Sequence, residues 1–400
     1  MNYSKISILA LLAFVISCGS HAGSEKSKTT SSSDSLSAAK RVTDSLTAIK
    51  KFNTDNNFHN VAAVLCGEVG QANALNYLFD TTAWAKHAKF VDSSWVKLKK
   101  NRLTAMEAWG RKEFAKVNAE SKTVFYPFSG PDYLTAYAFF PDADTYIMLG
   151  LEPIGKLPDL KTFKKGEALD YANDFKRSLG DIFDKSYFIT KKMLNDFQSQ
   201  KVNGLLPVLS FFIQKSGNAL LDIKYMVRYG QDSIGEVAYD YKNDEHKPCG
   251  VKIRFLQEGK QKSVYYFRYD VSDKLFNDTV VFYKFVNKNT QHCITYIKSA
   301  SYLLHANFMS NMRSLILKNS NAIIQDDTGI PFSFIEKENK FDIKLYGQYT
   351  KPVSDFPYLS LQKPLQEAFK KDSAHVGTLP FHLGYHWGTR KDVIIFAQVK

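Results

Sequence analysis

The sequence predicts an α+β protein, because its helices and strands fall in separate stretches instead of alternating. Apolar residues at helical spacing dominate up to residue 216, and short alternating strands dominate from Asn218 onward. One strand–helix–strand passage between residues 122 and 155 supplies a small βαβ-like segment. The expected division is a mainly helical region, 36–216, and an antiparallel β-rich region, 218–400, packed together as one unit.

Each element has its own signal. In "WAKHAKFVDSSWVKLKKNRLTAMEAWGRKEF" the residues Trp84, Ala88, Val91, Trp95, Leu98, Met106 and Trp109 recur at three- and four-residue steps, so three tryptophans share one stripe that a helix buries against a core. "TVFYPF" reads as a strand, a helix opens near Pro131, and "TYIMLGL" reads as a second strand, parallel to the first. "FKRSLGDIFDKSYFITKKMLNDFQ" returns to helical spacing. The strands "ALLDIKYMVRY", "EVAYDYK", "GVKIRFLQ", "SVYYFRYDVS", "TVVFYKFVN" and "CITYIKSASYLL" then follow across short turns, as in a meander. Val251, Ile253 and Phe255 alternate with Lys252 and Arg254, which gives a sheet one packed and one wet face. A helix "NFMSNMRSLILKN", a turn "QDDTGIP", a strand "FDIKLYGQY", a helix "LQKPLQEAFKK" and a last strand "DVIIFAQ" complete the chain.

The first residues address location. Lys5 precedes "ISILALLAFVIS", an apolar run of about a dozen residues, the size of a signal-peptide core and short of the roughly 20 that span a bilayer. The run ends at "VISC", which resembles the lipobox of bacterial lipoprotein signals. That resemblance implies a signal peptide at 1–17 and a diacylglycerol on Cys18. Residues 18–35, rich in Ser, Thr, Gly and Lys, cannot bury enough apolar area to offset their ordering entropy and read as a flexible tether. Each buried CH2 of an acyl chain contributes about 0.8 kcal/mol, so two or three chains hold the protein on a membrane. Gly19 after the cysteine resembles lipoproteins sorted to the outer rather than the inner membrane.

The formal charge of +13 lies almost wholly in the folded part, yet its Lys and Arg residues are interleaved with acids, as on solvated helix faces. No basic stripe points to nucleic acid. An exported compartment permits disulfides, and Cys249 and Cys293, both in the strand-rich region, are the candidate pair. Cys66 sits in an apolar context that suits a buried, inert thiol.

Candidate chemistry is sparse. Gly150, Gly155 and Lys156 match the spacing of a phosphate loop, but Leu157 replaces the required hydroxyl, Pro153 removes an N–H and Glu152 adds an anion where phosphate would sit. Ser129 lies between strand and helix like a hydrolase nucleophile, although Pro127 and Pro131 stand where that motif needs glycine. Its plainer role is at a helix start, with Asp132 near the positive end. Ser129, then Asp326 or Asp327, then His386 follow the order Ser, acid, His, with His305 as the other candidate base. His382 and His386 lie four apart, but Gly384 and Gly388 oppose a helix, and on a strand they would be about 13 Å apart. No metal site and no cofactor are expected.

The blocks "YPFSGPDYLTAYAFFPDADTYIMLGLEPIG", "SYLLH", "IIQDDTGIPFSF" and "LYGQYTKPVSDF" resemble a family of exported bacterial proteins without an assigned activity. That resemblance implies a shared fold and carries no catalytic role. The sequence thus points to a lipid-anchored protein of the bacterial cell envelope, a binding or envelope-structural module with an envelope protein or glycan as partner. A serine-type hydrolase using Ser129, His386 or His305, and Asp326 or Asp327 is the alternative.

Overall fold

The computed structural model describes residues 57–68, 81–184, 202–240, 247–299, 301–353, 356–389 and 391–400. All belong to the unit Asp44–Lys400. The expected signal peptide at 1–17, Cys18 and the expected tether at 18–35 lie outside the described residues.

The strands are β1 (Thr123–Tyr126), β2 (Thr145–Gly150), β3 (Ala219–Tyr229), β4 (Ser233–Ala238), β5 (Pro248–Gln257), β6 (Lys260–Arg268), β7 (Cys293–Ile297), β8 (Ser320–Gln325), β9 (Phe341–Gly347) and β10 (Val393–Val399). They form one sheet in the order β4-β3-β5-β6-β2-β1-β7-β8-β10-β9. Most strands come from the C-terminal half and most neighbouring pairs are antiparallel, as an α+β fold requires. The two strands of the βαβ-like segment do not form an appendage, however. They sit in the middle, with β2 parallel to β1 and β6, and β1 parallel to β7, which is parallel to β8.

Parallel neighbours need a crossover. This explains why "TVVFYKFVN", expected as a strand, is instead the helix Val281–Asn289 carrying the chain from β6 to β7. Its buried Val281, Phe282 and Val286 fit a helical stripe as well as a strand run. The same need makes "SNAIIQ" a strand that the sequence reading missed. It begins directly at the end of the preceding helix, with no Gly or Pro to mark the boundary.

Helices cover both faces. On one side lie α1 (Asn57–Cys66), α2 (Thr81–Leu98), a π-helical turn (Lys99–Leu103), α3 (Thr104–Glu113), α4 (Ala115–Glu120), α5 (Tyr133–Phe139), α6 (Glu167–Asp184) and α7 (Leu206–Lys215), against Val124, Tyr146, Met148, Tyr266 and Tyr296. On the other side α8 (Val281–Asn289), α9 (Ser310–Asn319) and α10 (Phe332–Lys337) pack on Phe125, Ile147, Leu149, Phe267 and Ile297. The helix α11 (Lys363–Lys371) joins a smaller cluster through Leu365, with Phe332, Val393 and Ile395. The tryptophan stripe is core: Trp109 lies edge-on to Phe114, Phe139, Tyr346 and Phe381, with ring centroids 4.9–5.9 Å apart.

Numbered along the chain, the five central strands run 3-2-1-4-5. The β1–α5–β2 crossover covers one face and the β6–α8–β7 and β7–α9–β8 crossovers cover the other. This is the doubly wound arrangement, in which ligands bind at the carboxyl ends of the strands where the winding reverses. Here that point lies between β1 and β7.

Candidate functional site

Where β1, β7 and β8 end, the sequence switches from apolar to polar. After Tyr126 comes "PFSGPD", after Ile297 comes "KSAS", and after Gln325 comes "DDTG". Three of the four blocks that carry the family resemblance meet at this edge.

A buried ion pair spans the point of reversal. Lys298 Nζ lies 2.6 Å from Asp132 Oδ2, with both side chains almost fully buried. Asp132 is the N-cap of α5, accepting from Thr135 N at 3.3 Å and from Thr135 Oγ1 at 2.7 Å, so the cap falls three residues beyond Ser129. The Tyr126 hydroxyl lies 3.0 Å from Asp132 Oδ2 and 3.2 Å from Lys298 O. The π-helical turn carries a second buried cation, Arg102. Burial lowers its pKa and the charge of Asp132 opposes that shift.

Between β7 and β8 lies an acid-centred network. Asp326 Oδ2 accepts Ser299 N at 2.8 Å, and Asp326 Oδ1 accepts Thr328 N at 2.9 Å and Thr328 Oγ1 at 2.6 Å. Ser301 Oγ is 2.8 Å from Thr328 Oγ1. Burial, with the adjacent charge of Asp327, raises the Asp326 carboxyl to about 6, although the bonds from Thr328 and Ser299 pull the other way. Asp327, whose side chain has no exposed surface, faces His386 Nε2 with both oxygens at 3.1 Å. Burial disfavours the imidazolium of His386, but the hydrogen bond and charge of Asp327, aided by Asp326 and Asp392, outweigh it and raise the pKa. His305 is shifted the other way: burial lowers its pKa against the pull of Asp327, and its Nε2 is buried without a hydrogen-bond partner among the described residues.

Gln362 braces this edge. Its Nε2 donates to Asp327 O at 2.9 Å and its Oε1 accepts Phe332 N at 2.8 Å. Tyr302 stacks on Phe356 with ring centroids 4.7 Å apart, and Tyr385 meets Phe356 tilted by 44° at 4.5 Å.

The structure therefore gathers four of the candidate residues, Asp326, Asp327, His305 and His386, and among the described residues hydrogen-bonds Ser129 to none of them. The Ser129 hydroxyl lies 3.1 Å from both Gly130 O and Leu149 O. No imidazole is among its hydrogen-bond partners within the described residues. The His382–His386 spacing does not make a pair either, because His382 Nδ1 faces Asp392 Oδ2 at 2.6 Å while His386 faces Asp327.

Cys249 and Cys293 are both free thiols. Their strands β5 and β7 are separated by β6, β2 and β1, roughly 19 Å at about 4.8 Å per strand. Because β5 runs against β6, Cys249 sits beside the carboxyl end of the parallel block and Cys293 at its amino end. A disulfide needs Cα atoms within about 7 Å.

The phosphate-loop spacing has no loop behind it. Lys156 pairs in extended form with Asn203, donating its N–H to Asn203 O at 3.0 Å, and no helix starts there. Glu152, just past β2, is buried instead. Its Oε2 accepts Leu151 N at 3.1 Å, and its Oε1 lies 3.4 Å from where a Cβ on Gly130 would be.

Sequence reading missed Lys298, Ser299, Ser301, Arg102 and Glu152 as site residues. The stretch "CITYIKSASYLL" was read as one long strand. Ending it at Ile297, where the apolar run stops, would have put "KSAS" on the edge.

Fold and site together define a class: an α+β protein with a doubly wound centre and a buried Asp–His site at its carboxyl edge. No protein-family model, curated protein or solved structure matches the chain. What it does must be read from these side chains.

Proposed function

We propose that this is a lipid-anchored bacterial cell-envelope protein, on the outer rather than the inner membrane, that works as a hydrolase with His386 as general acid–base and Asp327 as its orienting carboxylate. The observation that carries the catalytic half is the fully buried Asp327 holding His386 Nε2 with both oxygens. Such a partner fixes the ring and stabilises the imidazolium formed when a proton is taken up. Titratable groups converging in one place favour catalysis over passive binding. The test is hydrolysis of a panel of chromogenic esters, phosphoesters and glycosides by the full chain in detergent. His386→Gln should lower the rate about a hundredfold or more, and equal rates for both proteins rule the reading out. The anchor half rests on "VISC" and is tested by palmitate labelling, which Cys18→Ala should abolish.

A binding role is favoured by Glu152, which stands 22 residues after Gly130 with a carboxylate oxygen close above it. In the dinucleotide-binding doubly wound folds an acid about 20 residues beyond the glycine-rich turn accepts a ribose hydroxyl. An envelope glycan has the matching chemistry. Glycan affinity that survives His386→Gln but not Glu152→Gln would select this reading.

A further inference from the structure

We infer that Ser299, not Ser129, is the nucleophile of this site, and that the substrate class is an acyl ester or amide. The inference rests on the acid–base reading of His386 and adds the atom that attacks.

Three observations on Ser299 combine. It stands directly beyond the carboxyl end of β7, next to the point of reversal, with φ +59°, a left-handed conformation that side chains other than glycine rarely adopt. Backbone strain of this kind persists only where the surroundings enforce it, and it gathers at functional sites. The enforcing contact is present, because Ser299 N donates to Asp326 Oδ2 at 2.8 Å.

The Ser299 hydroxyl is buried, with the residue 4% exposed, and Oγ has no hydrogen-bond partner among the described residues. Buried hydroxyls are nearly always satisfied, whereas Ser129 spends its hydroxyl on carbonyls and Ser301 spends its own on Thr328.

Gly384, which has no side chain, lies beside Ser299 Oγ. A Cβ placed on Gly384 would lie 3.1 Å from Ser299 Oγ and 2.8 Å from Asp326 Oδ2. Gly384 has φ +63° and begins the short turn Gly384–Thr389 that carries His386. The turn that supplies the imidazole is therefore the one that lies against the hydroxyl. Attack requires this turn to shift so that Oγ is uncovered and the ring comes toward it when substrate binds, as catalytic hydrogen bonds tighten in the substrate complex. Along the chain the order is Ser299, Asp327, His386, the order serine, acid, histidine of one large class of acyl hydrolases.

The chemistry balances with water as the only co-reactant. Ser299 Oγ attacks the acyl carbon and forms the O–C bond, while its proton moves to the ring nitrogen of His386 turned away from Asp327. The bond to the leaving oxygen or nitrogen breaks, and that atom takes the proton from the imidazolium. Water then attacks the acyl-serine by the same proton route, releasing the acid and restoring Ser299.

The test is a fluorophosphonate probe on the full chain in detergent, with the adduct located by peptide mass spectrometry. The expected result is a single adduct on Ser299, lost in both Ser299→Ala and Ser299→Gly, kept in Ser129→Ala, and formed at least a hundredfold more slowly in His386→Gln. Ser299→Gly removes the hydroxyl and relieves the left-handed strain, so it folds at least as well as the native chain. An unfolded Ser299→Ala therefore does not obscure the outcome. Absence of an adduct, or an adduct on Ser129 or Ser301, overturns the inference. Panel hydrolysis that needs His386 but survives Ser299→Gly overturns the nucleophile alone, whereas hydrolysis indifferent to His386 overturns the underlying acid–base reading.

Discussion

The parallel centre of the sheet and its antiparallel wing are built from the same residue types but do different work. In β5 the inward Val251, Ile253 and Phe255 alternate with Lys252 and Arg254, and the outward residues pair across strands. Arg254 pairs with Asp222, and Lys252 lies 2.7 Å from Glu236. In β1, β2 and β7 both faces are buried, and Phe125 and Val124 both lie in apolar clusters on opposite sides. The wing keeps its charges wet. The centre buries its charged groups, Asp132, Lys298, Asp326 and Asp327, at its carboxyl end, where desolvation makes a partner necessary. The lesson is that cost and chemistry are concentrated at the same edge.

That contrast can be broken by mutation. The largest effect belongs to the centre. Lys298→Met leaves Asp132 buried without its cation and should cost about 3–5 kcal/mol, measured as a shift in the urea midpoint, with Phe125→Ala comparable at about 3–5 kcal/mol. A loss under about 1 kcal/mol for Lys298→Met would mean that Asp132 is held well enough by Thr135 and Tyr126 alone.

Next comes pH. The folded carboxyl of Asp326 lies above its ordinary value, so the folded chain binds that proton more tightly than the unfolded one. Its stability contribution therefore falls as pH rises from about 4 to about 6. His386, also raised, continues the fall above its ordinary 6.5, while His305, lowered, works in the opposite sense as pH climbs toward 6.5. Asp326→Asn should flatten the fall between pH 4 and 6 even though it lowers stability overall. An unchanged slope of urea midpoint against pH would show that other groups set it.

The smallest effect belongs to the wing. Arg254→Ala removes a half-exposed pair and should cost about 0.2–1 kcal/mol, less in high salt. Reductant should leave the melting temperature unchanged, since Cys66, Cys249 and Cys293 are unbridged.

The same contrast explains what could be read from the sequence. Alternation made β5 and β6 plain, and the helical stripe made the buried role of Trp109 plain. Strands buried on both faces carry no alternation, so "SNAIIQ" passes unnoticed, and "TVVFYKFVN", rich in β-branched and aromatic residues, reads as one more strand of the meander. Asp326, Asp327, His305 and His386 were named because acids and histidines advertise their chemistry. Ser299 was not, because the end of the apolar run at Ile297 marks the edge, but nothing in "YIKSASY" shows that the serine two residues on takes a left-handed bend.

The placement of β1 and β2 has a consequence for how the chain reaches its native state. Met148 pairs with Tyr266 and Phe125 with Thr295, partners roughly 120 to 170 residues downstream. Such remote pairings carry a loop-closure cost and are slow to form. Until β6 and β7 have left the ribosome, the β1–α5–β2 unit stands with two unprotected edges that invite pairing with other chains. Nascent chains halted while β6 and β7 are still inside the ribosome should therefore need a holding chaperone to stay unaggregated, and those long enough to have released both strands should need it far less.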